Sequence, residues 1–128
     1  MVKNKILMFL SVFSFINFLG CAQQDEDSTI IVQDLRRLIK VDSTLVILDV
    51  RTPAELAGPL GEIDNVINIP IQELESRIGE LIKFKGKEIA VICRSGNRSS
   101  TGTYILRQHG YNAKNVLGGM TEYRKPVN

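Results

Sequence analysis

Two stretches of this chain are apolar at nearly every position rather than at every second one: Leu45-Val46-Ile47-Leu48-Asp49-Val50 and Glu88-Ile89-Ala90-Val91-Ile92. A strand with one wet face alternates apolar and polar residues. A continuous run rich in valine and isoleucine belongs instead to a strand covered on both faces, as in the interior of a parallel sheet. Segments of helical period lie between the apolar runs, and that alternation predicts an α/β domain with a parallel sheet flanked by helices.

The remaining elements follow from local chemistry. Thr29 to Val32 reads as a short strand, and Gln33 to Ile39 as a short helix with Leu35, Leu38 and Ile39 on one face. Thr52-Pro53-Ala54-Glu55 has the form of a helix start: Thr52 as N-cap, Pro53 in the first turn and Glu55 three residues after the cap. Gly58-Pro59 and Gly61 end it early. Asn65 to Ile69 reads as another strand, after which Pro70 opens what the spacing of Leu74, Ile78, Leu81 and Ile82 predicts to be a longer amphipathic helix. Ser99 to His109 reads as a helix closed by Gly110, Asn115 to Leu117 as a last strand, and Gly118-Gly119 as a tight turn.

The beginning of the chain has a different character. Lys3 and Lys5 precede a mostly apolar stretch from Ile6 to Leu19, shorter than a comfortable bilayer span and interrupted by Ser11, Ser14 and Asn17. This is the pattern of an export signal over residues 1–20. Phe18-Leu19-Gly20-Cys21 resembles the lipobox of bacterial lipoproteins, which implies lipidation at Cys21 as the first mature residue. Residues 21–28 then form the lipidation site and a polar tether with Asp25, Glu26 and Asp27, leaving 29–128 as one domain. The expected location is therefore exported, in the periplasm or cell envelope, anchored to a membrane through Cys21. Removing Lys3 and Lys5 leaves 14 basic residues against 14 acidic ones, so the formal charge of +2 belongs to the signal. No basic run with interleaved aromatics occurs, and nucleic acid is not expected as a partner.

Chemistry concentrates at Cys93. It ends the second apolar run and opens Cys93-Arg94-Ser95-Gly96-Asn97-Arg98 ahead of a helical segment, so the thiol lies at a strand-to-helix turn among cations. Turn N–H groups and a helix N-terminus favour the thiolate over the thiol, whose pKa in a free cysteine is about 8.5. A cysteine that only fills a core needs neither two arginines nor Gly96-Asn97. With Cys21 acylated, Cys93 is the one thiol left of the two cysteines; no internal disulfide forms, and any second half-reaction needs an external acceptor. One cysteine and the distant His109, next to a helix-ending glycine, make no ligand set, so neither metal nor cofactor is expected. Asp49 and Arg51 lie at the carboxyl end of the other buried run, where open α/β sheets bind ligands. Asp49 there can hold loop backbone, or pair with Arg51 or with an arginine of the cysteine loop.

Taken in order, Asp49-Val50-Arg51-Thr52-Pro53-Ala54-Glu55, Gly61-Glu62-Ile63, Asn68-Ile69-Pro70, Cys93 to Ser99 and Gly118-Gly119 resemble a single-domain rhodanese over about residues 29 to 124. The resemblance implies a five-stranded parallel sheet with helices on both faces, Cys93 as catalytic nucleophile, and the main chain of Arg94 to Arg98 as cradle for a transferred sulfur. Two positions depart from the family pattern: Glu62 where a histidine is common, and Tyr123 where a tryptophan is common. Four residues separate Cys93 from Arg98, against five in cysteine-dependent phosphatases, so the loop favours one sulfur atom over a phosphoryl group.

The implied activity is sulfur transfer by double displacement: Cys93 takes the sulfane sulfur of thiosulfate or a similar small anionic donor and passes it to cyanide or an external thiol. Arg94 and Arg98 are candidates to recruit and orient the donor. Ser95, Gly96 and Asn97 complete the loop, and Ser99 either donates a hydrogen bond or begins the helix. Asp49 and Arg51 support it, in a protein expected to be monomeric. The alternatives are a catalytically idle rhodanese-fold sulfur carrier or protein-binding module and, behind it, a phosphatase or arsenate reductase.

Overall fold

The computed structural model describes residues 26–127. Its core is a single five-stranded sheet in which every pairing is parallel. In chain order the elements are β1 (Thr29–Ile30), α1 (Val32–Val41), β2 (Val46–Asp49), α2 (Pro53–Leu56), β3 (Ile67–Asn68), α3 (Leu74–Arg77), β4 (Glu88–Ile92), α4 (Asn97–Gln108), β5 (Asn112–Val116) and α5 (Gly119–Tyr123), and the strand order across the sheet is β1-β5-β4-β2-β3. The two continuous apolar runs are β2 and β4, adjacent in the sheet interior and paired from Val46 with Ile89 to Asp49 with Ile92.

Period-two alternation sorts these strands into two cores. Val46, Leu48 and Val50 with Ile89, Val91 and Cys93 face one side, where Leu74, Leu81 and Leu106 from the α3 region and α4 cover them. Ile47, Ala90 and Ile92 face the other, beneath Val32 and Leu35 of α1 and Met120 of α5. With helices on both faces, neither side of β4 meets water, which is why its sequence does not alternate. Each such fully buried aliphatic side chain contributes roughly 1.5–3 kcal/mol of transfer free energy.

Several expectations shift, the last strand among them: read from Asn115 to Leu117, it runs from Asn112 to Val116. The segment after Pro70 is no continuous amphipathic helix: a 3₁₀ turn (Ile71–Glu73), one turn of α-helix and a longer 3₁₀ stretch (Ile78–Phe84) follow one another. Ile78, Leu81 and Phe84 recur every third residue, and that spacing fits three residues per turn; Ile82 is left 67% exposed. Val32 belongs to α1, and β1 is correspondingly short. Residues 26–28, read as the end of a solvated tether, form a 3₁₀ turn whose Asp27 reaches Arg107 at 3.8 Å. The export signal and Cys21 lie outside the described residues.

Candidate active site

β4 ends at Ile92, so Cys93 stands at the carboxyl edge of the sheet, and α4 starts four residues later. The turn between them is made by Gly96, the N-cap of α4, at φ 107° and ψ −10°, a conformation costly for any residue with a Cβ. Gly96 thereby aims its N–H at Cys93 Sγ, 3.1 Å away. Ser99 Oγ lies 3.2 Å from the same sulfur. Burial pushes the thiol pKa up, but the Ser99 hydroxyl and the backbone N–H groups of Ser99, Gly96 and Ser95 outweigh it, and the net direction is down from the ordinary thiol value. Cys93 is 1% exposed.

The far wall of the cradle is α5. Gly118 and Gly119 both have positive φ (80° and 56°), and the turn they make brings the first N–H groups of α5 onto the loop. Met120 N–H donates to the Cys93 carbonyl at 2.8 Å and Thr121 N–H to the Arg94 carbonyl at 3.0 Å. Any Cβ on Gly119 would stand 2.5 Å from that Cys93 oxygen. Behind the sulfur, Ser99 Oγ donates to Oδ1 of Asn115 on β5 at 2.6 Å, and both side chains are buried.

The β2 corner braces the third side. Asp49 and Arg51, 0% and 1% exposed, form a forked ion pair: Arg51 Nε donates to both carboxylate oxygens, at 3.0 and 3.1 Å, and Nη2 to Oδ2 at 2.7 Å. Arg51 Nη2 also donates to the Gly61 carbonyl, and Asn68 Nδ2 to the Asp49 and Arg51 carbonyls, so this corner is rigid and saturated. Of the roles open to Asp49, two are realised: it pairs with the Arg51 side chain and also accepts from the Arg51 backbone N–H at 3.0 Å. Thr52 and Glu55 close the expected capping box at the start of α2.

Glu55 has a second task that its capping role concealed. Its two oxygens accept from Arg98 Nη1 and Nη2 at 2.8 and 2.7 Å, tying α2 to α4. Chiefly through Arg98, this holds the Glu55 pKa down at about 2 against an ordinary 4.5, and the Arg98 pKa rises in response. Arg98, a candidate for donor recruitment, is paired with Glu55 in this structure and so braces the loop. Arg94 is exposed, makes no ion pair among the described residues, and with Arg51, Ala54, Pro59, Leu60 and Thr121 lines a cleft of about 550 Å³. Ser95 and Asn97 are exposed on the loop. His109 ends α4 at the opposite end from Cys93 and is exposed. Among the described residues no group of three or more His, Cys, Asp or Glu is placed to hold a metal ion.

The residues that sequence reasoning passed over are Asn115 and Glu55 in its bridging role. Asn115 carried a signal, an amide between strand residues Ala113 and Val116 that are both fully buried. Tyr123, in place of the family's tryptophan, still packs on the second core and stacks under Arg36 and Arg124, while Glu62 is exposed.

A doubly covered parallel sheet with a cysteine on a short loop at its carboxyl edge, cradled by backbone N–H groups, defines a class of cysteine-dependent transfer domains. Residues 23–126 match the model of the rhodanese-like domain, and the chain belongs to that family of sulfurtransferase domains. It is 32% identical over 91 residues to a sulfurtransferase of Allochromatium vinosum, covering 70% of this chain and 80% of that one. To the thiosulfate sulfurtransferase PspE of Escherichia coli it is 29% identical over 79 residues, 62% of this chain and 74% of the relative. A rhodanese-related protein from Thermoplasma volcanium superposes with a TM-score of 0.67 at 40% identity, over 78% of this chain and 96% of that structure. Against the larger adenylyltransferase and sulfurtransferase MOCS3 of Arabidopsis thaliana, the chain spans 25% of the relative's length.

Proposed function

We propose that this protein moves a sulfane sulfur from thiosulfate, or a donor of like chemistry, through a Cys93 persulfide to a thiophilic acceptor. The observation that carries the reading is the cradle: Gly96 N–H and the Ser99 hydroxyl within 3.2 Å of a sulfur whose pKa is lowered. The Cys93 thiolate attacks the outer sulfur of the donor; the sulfur–sulfur bond of thiosulfate breaks and its electron pair leaves with sulfite. The persulfide's terminal sulfur is anionic, and the loop's N–H dipoles stabilise it without reorganising, as an oxyanion hole stabilises oxygen. Cyanide or a thiolate then attacks that outer sulfur, and the Cys93 thiolate returns. Arg94 draws the anion toward the cleft at whose edge the loop lies.

The name of the PspE relative supports thiosulfate as donor. The amino-terminal pattern supports an exported domain anchored at Cys21 in the periplasm or cell envelope. Steady-state assays with thiosulfate and cyanide test the reaction: parallel double-reciprocal lines and no thiocyanate from Cys93→Ser support it, whereas thiocyanate formation by Cys93→Ser at the wild-type rate removes Cys93 from the mechanism. The 1% exposure of Cys93 favours a second reading, an idle carrier or binding module whose sulfur no donor reaches. Loss of reactivity toward every sulfane donor, in a folded protein, would select it.

A further inference from the structure

Cys93, Ser99 and Asn115 form a buried line of three polar groups running from the loop into β5, with separations of 3.2 and 2.6 Å. Their exposures are 1%, 0% and 8%, so water does not reach the Ser99 hydroxyl, and its one proton goes either to the sulfur or to Asn115. A serine hydroxyl has one proton to give and lone pairs with which to accept. When Cys93 is a thiol, its S–H points to Ser99 Oγ and the Ser99 proton goes to Asn115 Oδ1. When Cys93 is a thiolate, the sulfur can only accept; beside the fixed backbone N–H of Gly96, the Ser99 hydroxyl is the donor that can turn onto it. Asn115 Oδ1 then loses its donor and faces the lone pairs of Ser99.

A carboxamide resolves that conflict because it is a donor on one side and an acceptor on the other. Turning about its Cβ–Cγ axis, Asn115 presents Nδ2–H to Ser99 Oγ, and a serine that accepts such a bond becomes a better donor to sulfur. We propose that Asn115 is a positioning residue for the nucleophile: through Ser99 it exchanges acceptor for donor as Cys93 ionises, and so sets how readily the thiolate forms. The Cys93 proton leaves to solvent; no other bond is made or broken. An aspartate or an aliphatic residue at this position could take only one of the two parts, or neither. The charged groups on the elements around the thiol are Arg98 on α4, held by Glu55 of α2, the closed Asp49–Arg51 pair of β2, and the exposed Arg94 of the loop. The neighbours contributed by β5 and α5, Asn115 and Met120, carry no charge.

The inference rests on Cys93 as nucleophile, and its test reads thiolate formation by iodoacetamide alkylation, which needs no sulfur donor and so fails independently of the sulfurtransferase reading. The alkylation rate is measured against pH for the wild type, Asn115→Leu, Ser99→Ala and the double variant. Asn115→Leu should move the midpoint up by about one unit, a roughly tenfold lower thiolate fraction below it. The double variant should titrate like Ser99→Ala alone, because Asn115 acts through Ser99. An unmoved midpoint in folded Asn115→Leu, or a shift that persists undiminished in the Ser99→Ala background, overturns the proposal. Should Asn115→Leu not fold, the wild type still decides. The Asn115 side-chain amide resonances in a ¹⁵N-labelled sample should titrate with the Cys93 midpoint, and their indifference to it would refute the exchange.

Discussion

Replacing Gly119 with alanine places a Cβ 2.5 Å from the Cys93 carbonyl oxygen and 2.7 Å from the carbonyl carbon and oxygen of Arg94. Those carbonyls accept the Met120 and Thr121 N–H bonds that hold the cradle against α5. Ordinary contact between a methyl and such atoms starts at about 3.4 Å, so the loop or α5 must retreat by more than half an ångström. The alanine also sits at φ 56°, a left-handed conformation costing about 1 kcal/mol or more without glycine. Overpacking of a tight site adds about 1–3 kcal/mol, and loosening two hydrogen bonds about 1 kcal/mol each. The sum is about 4–6 kcal/mol, which for a domain of roughly 100 residues lowers Tm by at least about 16 °C. Urea unfolding followed by circular dichroism measures the first quantity, and alkylation of Cys93 reports the displaced loop. Gly79→Ala is the control, because its Cβ meets nothing within 4 Å. A Gly119→Ala protein within about 1 kcal/mol of wild type, with unchanged Cys93 reactivity, refutes the claim that close approach of α5 builds the cradle.

Asp49→Asn leaves Arg51 buried with its charge uncompensated and should cost about 3–5 kcal/mol in urea unfolding; Asp49→Leu with Arg51→Met should recover much of that loss. Glu55→Gln removes the Arg98 brace. Because Glu55 titrates lower in the folded state, its contribution is full above pH 4.5 and fades as the pH falls toward about 2. Its side chain is a third exposed, so the contribution is about 1 kcal/mol at neutral pH, and the stability difference between wild type and Glu55→Gln should close over that acid window. Arg94→Ala should raise KM for thiosulfate by about tenfold and leave alkylation by neutral iodoacetamide nearly unchanged, the signature of an exposed recruiting cation.

Most of the frame was legible because β2 and β4 advertise double burial through unbroken apolar runs, and because Thr52, Pro53 and Glu55 spell a capping box that the structure forms. The region after Pro70 misled: Leu74, Ile78 and Leu81 fit a period of 3.6 as well as 3.0 over so short a span, and only packing selects the tighter winding. The site divides in the same way. A cysteine between a buried strand and a helix is a local pattern, readable in one stretch. The Glu55–Arg98 bridge and the Ser99–Asn115 bond join residues 43 and 16 positions apart, and no local spacing announces a partner at that distance. The pairing of Arg98 with Glu55 is invisible in the sequence for that reason.

The central claim, that Cys93 carries the sulfur, is tested most directly by intact-mass analysis of the soluble domain after thiosulfate, in wild type and Cys93→Ser, before and after cyanide. The account predicts a gain of one sulfur atom in wild type only, removed by cyanide with release of thiocyanate. No gain in folded wild-type protein across thiosulfate and organic persulfide donors, or an equal gain in Cys93→Ser, would contradict it.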